Sequence, residues 1–214
     1  MKRTQFPRTF LVSLLIFTLG VLTSGAAAQE KNEISGLLGR TFISDQGVKG
    51  LPPSDSILHF GDRITWEVNY GRHLADFGIL GLTVEVPFVV NFNQDMKIPV
   101  NLVPKNYQSY FLTPALRANL FPGTGFSPWV SLGGGFGRFN ENSTLEFGGP
   151  NPGPSGTTTG VLQAGIGLDV HIWRSLGVRG EVRDFYSGVP QLNVDTGKSR
   201  QHNYFVGAGV IWRF

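Results

Sequence analysis

Apolar and polar residues alternate with period two, in segments of about ten residues, from one end of the chain to the other. The C-terminal segment shows it best. Tyr204, Val206, Ala208, Val210, Trp212 and Phe214 share one face, and Phe205, Gly207, Gly209, Ile211 and Arg213 share the other. Leu176, Val178, Gly180, Val182 and Tyr186 alternate with Gly177, Arg179, Glu181, Arg183 and Phe185. Leu162 to Ile172 alternates with Gln163, Asp169 and His171, and Val130, Leu132 and Phe136 with Ser131 and glycines. Ile64 to Tyr70 alternates with Arg63, Glu67 and Asn69, Leu80 to Phe88 with Thr83 and Glu85, and Tyr110 to Leu120 with Thr113, Arg117 and Asn119. Glu33–Ile43 is the weakest segment, because Arg40 falls on its apolar side. The pattern predicts eight strands.

The connections alternate in length. Ser44–Gly61, Asn91–Asn106, Asn140–Thr158 and Gly188–Gln201 are long and polar or rich in Gly and Pro, while short links fall near Arg72–Asp76, Pro122–Ser127 and Trp173–Ser175. Short turns at one rim and long loops at the other describe an all-β, eight-stranded antiparallel up-and-down transmembrane β-barrel, with its turns periplasmic and its loops extracellular. A lipocalin-like soluble barrel shares the strand count but turns its apolar face inward. Alternation alone does not choose between them.

Three further features do: the N-terminal export signal, the aromatic residues near strand ends and the C-terminal residue. Lys2, Arg3 and Arg8 precede an apolar run from Phe10 to Leu22, and Ala26-Ala27-Ala28 supplies a small-residue cleavage site. The run is shorter than the roughly 20 residues a spanning helix needs. The expected organisation is therefore a signal peptide over 1–28 and a barrel domain over 29–214, exported to the cell outer membrane. Removing 28 of the 214 residues leaves 186, a length suited to one domain. Three of the 18 Lys and Arg lie in the signal, so 15 remain against 15 Asp and Glu. The formal +3 charge thus belongs to the removed segment, and nucleic acid is not an expected partner. The absence of Cys excludes a lipid-modified N-terminus and disulfides. The 29 Gly and only 15% charged residues fit many strands and turns.

Aromatic residues mark the strand ends, with Tyr110, Tyr186 and Tyr204 toward the loops and Tyr70, Trp212 and Phe214 toward the turns. Such girdles belong at a membrane interface. The ending GAGVIWRF, with Tyr204 upstream on the same face, resembles the C-terminal signal of bacterial outer-membrane proteins. The mature chain resembles the small outer-membrane β-barrel family that includes the OmpA transmembrane domain and OmpW-like barrels. The resemblance implies that Tyr204, Trp212 and Phe214 serve as the assembly signal read by the barrel-assembly machinery. It also implies a monomer among outer-membrane lipid and lipopolysaccharide. No cell-wall-binding domain is expected after the barrel.

With the apolar faces in lipid, the lumen receives Glu33, Arg63, Glu67, Glu85, Arg117, Asp169, Arg179, Glu181, Arg183 and Arg213. An eight-stranded barrel is only wide enough for side chains to fill it, and charges buried there must pair. Hairpin geometry predicts that Asp169 faces Arg179, that Glu85 lies near Arg117, and that Glu33 meets Arg213 across the closing seam. Two readings compete: a plug of ion pairs, or a polar path or acid pair such as Glu67 with Glu85. The narrow lumen favours the plug. Nearer the loops, Phe111, Phe139, Phe185 and Phe205 point inward, as an apolar mouth for a small ligand or as a cap on the lumen. OmpW relatives make the first an expectation of the resemblance.

The function expected is a structural or surface-interaction role with a largely plugged lumen. A narrow porin-like channel or port for small apolar ligands is the alternative, and a lipid-modifying enzyme the third reading. Catalysis at the rim needs a nucleophile and a base, and Ser187 with His202 is the only pair in range. The clustered His and Ser of lipid A deacylases is absent from this chain. His59, His73, His171 and His202 are scattered singly, so neither a metal nor another cofactor is expected. Gly133–Gly137 lacks the following helix of a phosphate loop. Glycines in a narrow barrel instead make room for bulky inward neighbours.

Overall fold

In the computed structural model, residues 31–214 are described; the expected signal peptide, 1–28, lies outside the described residues. Every regular element among the described residues is a strand. The first four are β1 (Asn32–Phe42), β2 (Gln46–Gly47), β3 (Ile57–Phe60) and β4 (Arg63–Phe77). They are followed by β5 (Leu80–Lys97), β6 (Asn106–Leu112), β7 (Ala115–Leu120) and β8 (Phe126–Glu141). Then come β9 (Thr157–Trp173), β10 (Leu176–Gly188) and β11 (Arg200–Arg213).

Sequential antiparallel pairing runs from β4 to β11, and β1 closes the ring by pairing with both β4 and β11. Strands β6 and β7 are two halves of one stave. Both pair with β5 and β8, and the register runs through the break unchanged, from Phe88↔Leu112 to Glu85↔Ala115. Pro114 causes the break, because it has no N–H to donate. Thr113 N still reaches Pro87 O (3.3 Å), and Gly134 N reaches Pro114 O (3.1 Å). The ring therefore has eight strands, the number the alternation predicts, and the two short strands β2 and β3 belong to the first loop.

The faces are those of a lipid-embedded barrel. Ile64, Trp66, Val68, Leu116, Val130, Ile166, Val210 and Trp212 are exposed, and Leu132 reaches 72% exposure, while the residues between them are buried. A soluble barrel would bury the first set, and lipid is the solvent that suits it. Arg40 stands on the outer face, as its parity requires, and is held at the loop rim by Asp62.

Two boundaries differ from the sequence reading. The first short link is not at Arg72–Asp76; β4 continues to Phe77 through a bulge between His73 and Ala75, and the turn falls at Gly78, which takes φ +68°. The bulge interrupts period two and so resembles a strand end in the sequence. Likewise β5 extends beyond Asn91 to Lys97, through a register shift between Asn91 and Gln94, and pairs there with β6 and with His59 and Phe60 of β3.

Candidate functional site

Inward positions of the eight staves stack in layers from the turn end to the loop end. At the turn end lies a cavity of about 500 Å³, reached between the turns and lined by His73, Asp76, Thr124 and His171, with Glu33 and Arg117 at its inner end. Beyond it the lumen is filled by charge. Arg117 on β7 reaches Glu33 on β1 (Nη2–Oε1 2.5 Å) and Glu85 on β5 (Nη1–Oε2 3.2 Å). Arg179 on β10 binds Asp169 on β9 (Nε–Oδ1 2.7 Å) and Glu33 (Nη2–Oε1 2.8 Å). Arg183, also on β10, binds Glu181 (2.6 Å) and crosses the barrel to Glu85 (2.7 Å) and Glu67 (3.5 Å). Arg213 on β11 joins Glu33 (3.5 Å) and Asp169 (3.1 Å).

The three hairpin and seam pairs expected from the sequence, Asp169–Arg179, Glu85–Arg117 and Glu33–Arg213, are all in contact. They are parts of one network rather than separate pairs, because each arginine lies within ion-pair distance of at least two carboxylates. Glu67 and Glu85 do not form a facing acid pair. Glu85 is held by Arg117, Arg183 and Asn69 Nδ2 (3.0 Å), while Glu67 lies beside Glu181 and touches only Arg183 among the guanidiniums. Arg63 departs from the expected set. It sits at the loop rim, 54% exposed by side chain, and pairs with Asp95, because β4 rises above the lumen before its first buried residue, Thr65.

At the centre of the network stands Trp129, which the sequence reading did not single out. Its indole is 2% exposed and donates from Nε1 to Asp169 Oδ1 (2.9 Å). The guanidinium carbons of Arg117, Arg179 and Arg183 lie 5.5, 5.2 and 5.1 Å from its ring centroid. These distances fit cation–π contacts, so one indole braces three buried cations. Gly167, opposite Trp129 on β9, is required here, because a Cβ would overlap the indole ring. A period-two reading of β8 already places Trp129 with Ser127 and Ser131, and that signal was available.

Above the charges the lumen becomes apolar. Phe111, Phe139, Phe185 and Phe205 all point inward and are almost wholly buried. Phe111 stacks on Phe185 (4.9 Å, 6°) and meets Phe139 edge-on (5.9 Å, 82°), and Tyr107 meets Phe139 likewise (5.7 Å, 77°). Phe111, Phe139 and Phe185 touch one another and Phe205 is buried in the same cluster, so the expected apolar mouth is a closed layer. The loops complete it. Ile43, Val48 and Leu58 of the first loop, Ile98 and Val103 of the second and Leu192 of the fourth are buried on this cluster. The third loop is tied to the second by hydrogen bonds: Lys105 N to Thr144 O (3.0 Å), Phe147 N to Asn101 Oδ1 (2.9 Å) and Asn101 Nδ2 to Gly148 O (2.9 Å).

The Ser187–His202 pair does not assemble. Ser187 points into the lumen, accepts from Asn203 Nδ2 (3.0 Å) and donates to Gly188 O (2.8 Å). His202 points outward to Asp184 (2.6 Å) and lies between Tyr186 and Tyr204. Adjacent-strand partners of opposite parity face opposite sides of a wall. His59 and His73 each pair with an aspartate, and no group of three metal-ligating side chains occurs among the described residues. Tyr204, Trp212 and Phe214 are outward, and Trp212 lies against Phe214 (4.9 Å).

A closed eight-stranded ring, a lipid-facing apolar belt and a side-chain-filled lumen define an outer-membrane β-barrel. By sequence, no family model and no curated protein matches the chain. By structure, it is similar to Neisserial surface protein A, with a TM-score of 0.51 and 13% identity over 88% of this chain and 100% of that one. It is also similar to the outer membrane protein OprG from Pseudomonas aeruginosa, with a TM-score of 0.53 and 14% identity over 86% of this chain and 95% of that one.

Proposed function

We propose that this protein is a closed outer-membrane scaffold that presents an ordered surface formed by its four long loops, and that it acts by binding rather than by chemistry. The observation that carries this reading is the filled lumen. Arg117, Arg179, Arg183 and Trp129 occupy one half, and the phenylalanine layer, capped by residues of three loops, occupies the other. A chain that only needed to line a pore would leave these positions small or solvated. The same apolar layer gives the loops something to fold onto, and loops held on a rigid scaffold are where recognition residues are placed.

Single-channel conductance of the refolded protein in a planar bilayer tests the proposal, after a heat-dependent gel shift has established folding. Silence from the folded barrel supports a closed scaffold. Discrete, reproducible current steps would overturn it in favour of the narrow channel, with the turn-end cavity as its entrance. Uptake of a small apolar solute by vesicles containing the protein would favour the port.

A further inference from the structure

We propose that Arg138 and Arg200 form a site on the outer wall for the phosphate group of an outer-leaflet lipid. The proposal rests on the membrane placement of the barrel and is independent of whether its lumen is closed. Arg138 lies on the outward face of β8, opposite Thr158 of β9. Its guanidinium bonds Thr158 Oγ1 (3.1 Å) and Asn140 Oδ1 (3.0 Å). Arg200 starts two strands away on β11, opposite Gly188 of β10, and leans back across β10 to bond Gly160 O (3.3 Å), passing over the Tyr186 ring (5.7 Å). Two arginines from opposite sides thus converge on the same strand. Thr158 and Gly160 are two residues apart, roughly 7 Å along it.

Three features make this a binding surface rather than a structural pair. Among the described residues every hydrogen-bond partner of the two guanidiniums is uncharged, whereas Arg40 and Arg63, at the same rim, are each neutralised by an aspartate. The floor between them is open, since a Cβ on Gly160 would meet nothing within 4 Å. The wall directly below is lipid-facing, with exposed Phe136 opposite Gly160 and exposed Leu162 opposite Tyr186. An anion held there has its acyl chains against the apolar belt, at the height where lipid headgroups begin. Arginine's planar fork suits phosphate, and two of them outside bulk water hold it more firmly than one.

The test uses the refolded full barrel and native mass spectrometry with two lipids, bisphosphorylated lipid A and the same lipid enzymatically dephosphorylated. Wild type should retain the phosphorylated form selectively. R138Q/R200Q should lose that retention by about tenfold or more, the scale of one or two charge-assisted hydrogen bonds. Both positions are exposed, so the gel shift should be unchanged; if the double variant fails to shift, R138Q and R200Q are read singly. Equal retention of both lipids by wild type, or undiminished retention by the variants, overturns the site. Competition by millimolar inorganic phosphate overturns the lipid as its occupant, leaving a site for a free anion.

Discussion

Arg183→Leu is the sharpest perturbation of the lumen. Arg183 is fully buried and contacts three carboxylates, Glu181 at 2.6 Å, Glu85 at 2.7 Å and Glu67 at 3.5 Å. Leucine keeps the apolar stem but removes the charge. Glu85 retains Arg117, whereas Glu181 and Glu67 lose their only guanidinium contact among the described residues. Removing one partner of a buried pair costs about 3–5 kcal/mol, chiefly through the charge left behind. Two carboxylates stranded together place this substitution near the upper end. With a urea slope of about 2 kcal/mol per molar, the unfolding midpoint should fall by about 2 M. The protein should still conduct nothing, because the phenylalanine layer is untouched. Removing Glu181 as well, in R183L/E181L, should recover part of the loss, since replacing both members of a buried pair is often neutral. The assay is the midpoint of the heat-shifted gel band in lipid vesicles, with planar-bilayer current recorded on the same preparations. A midpoint unchanged from wild type, or current steps in Arg183→Leu, would refute the view that this network is a structural plug.

Arg117→Leu should cost less, about 2–3 kcal/mol, because Glu33 keeps Arg179 and Arg213 while Glu85 keeps Arg183; the same urea titration ranks the two variants. Trp129→Phe removes the bond to Asp169 and weakens three cation–π contacts, for a loss of about 1–3 kcal/mol that thermal gel-shift curves will read. Phe185→Ala takes away the ring stacked on Phe111 and should cost about 3–5 kcal/mol. It should also admit a small apolar dye that wild type excludes, measured by fluorescence. Leu58→Asp should release the first loop while sparing the wall, so that protease added to sealed vesicles cuts within residues 43–62 and leaves the strands protected.

The strand count, both faces of the wall and three of the ion pairs are legible in the sequence because a β-barrel writes its inside and outside into alternate positions. That rule fails wherever the register slips. The bulge at His73–Ala75 imitates a turn, and the shift between Asn91 and Gln94 imitates the start of a loop. Arg63 has lumen parity but not lumen depth, which period two does not encode. The joining of separate pairs into one network depends on which staves face one another across the ring. Arg183 meets Glu85 from the opposite wall, a closeness without any local sequence spacing. The difference between an open mouth and a closed layer of phenylalanines is set by the loops. Ile43, Val48, Leu58, Val103 and Leu192 lie in segments whose polar, Gly- and Pro-rich character conceals single buried anchors.

Those anchors divide the first, second and fourth loops into two populations with different freedom to change. A residue such as Leu58 or Val103 plugs the barrel from above, and its replacement is felt in the core, whereas the side chains of Phe147 and Leu102 stand exposed. Sequence variation should therefore concentrate in the tips and skip the anchors, even where the two are a few residues apart. The same division tells an engineer where a foreign epitope fits. An insertion between Pro154 and Ser155, both exposed, lengthens a tip, whereas one beside Leu58 would uncork the barrel.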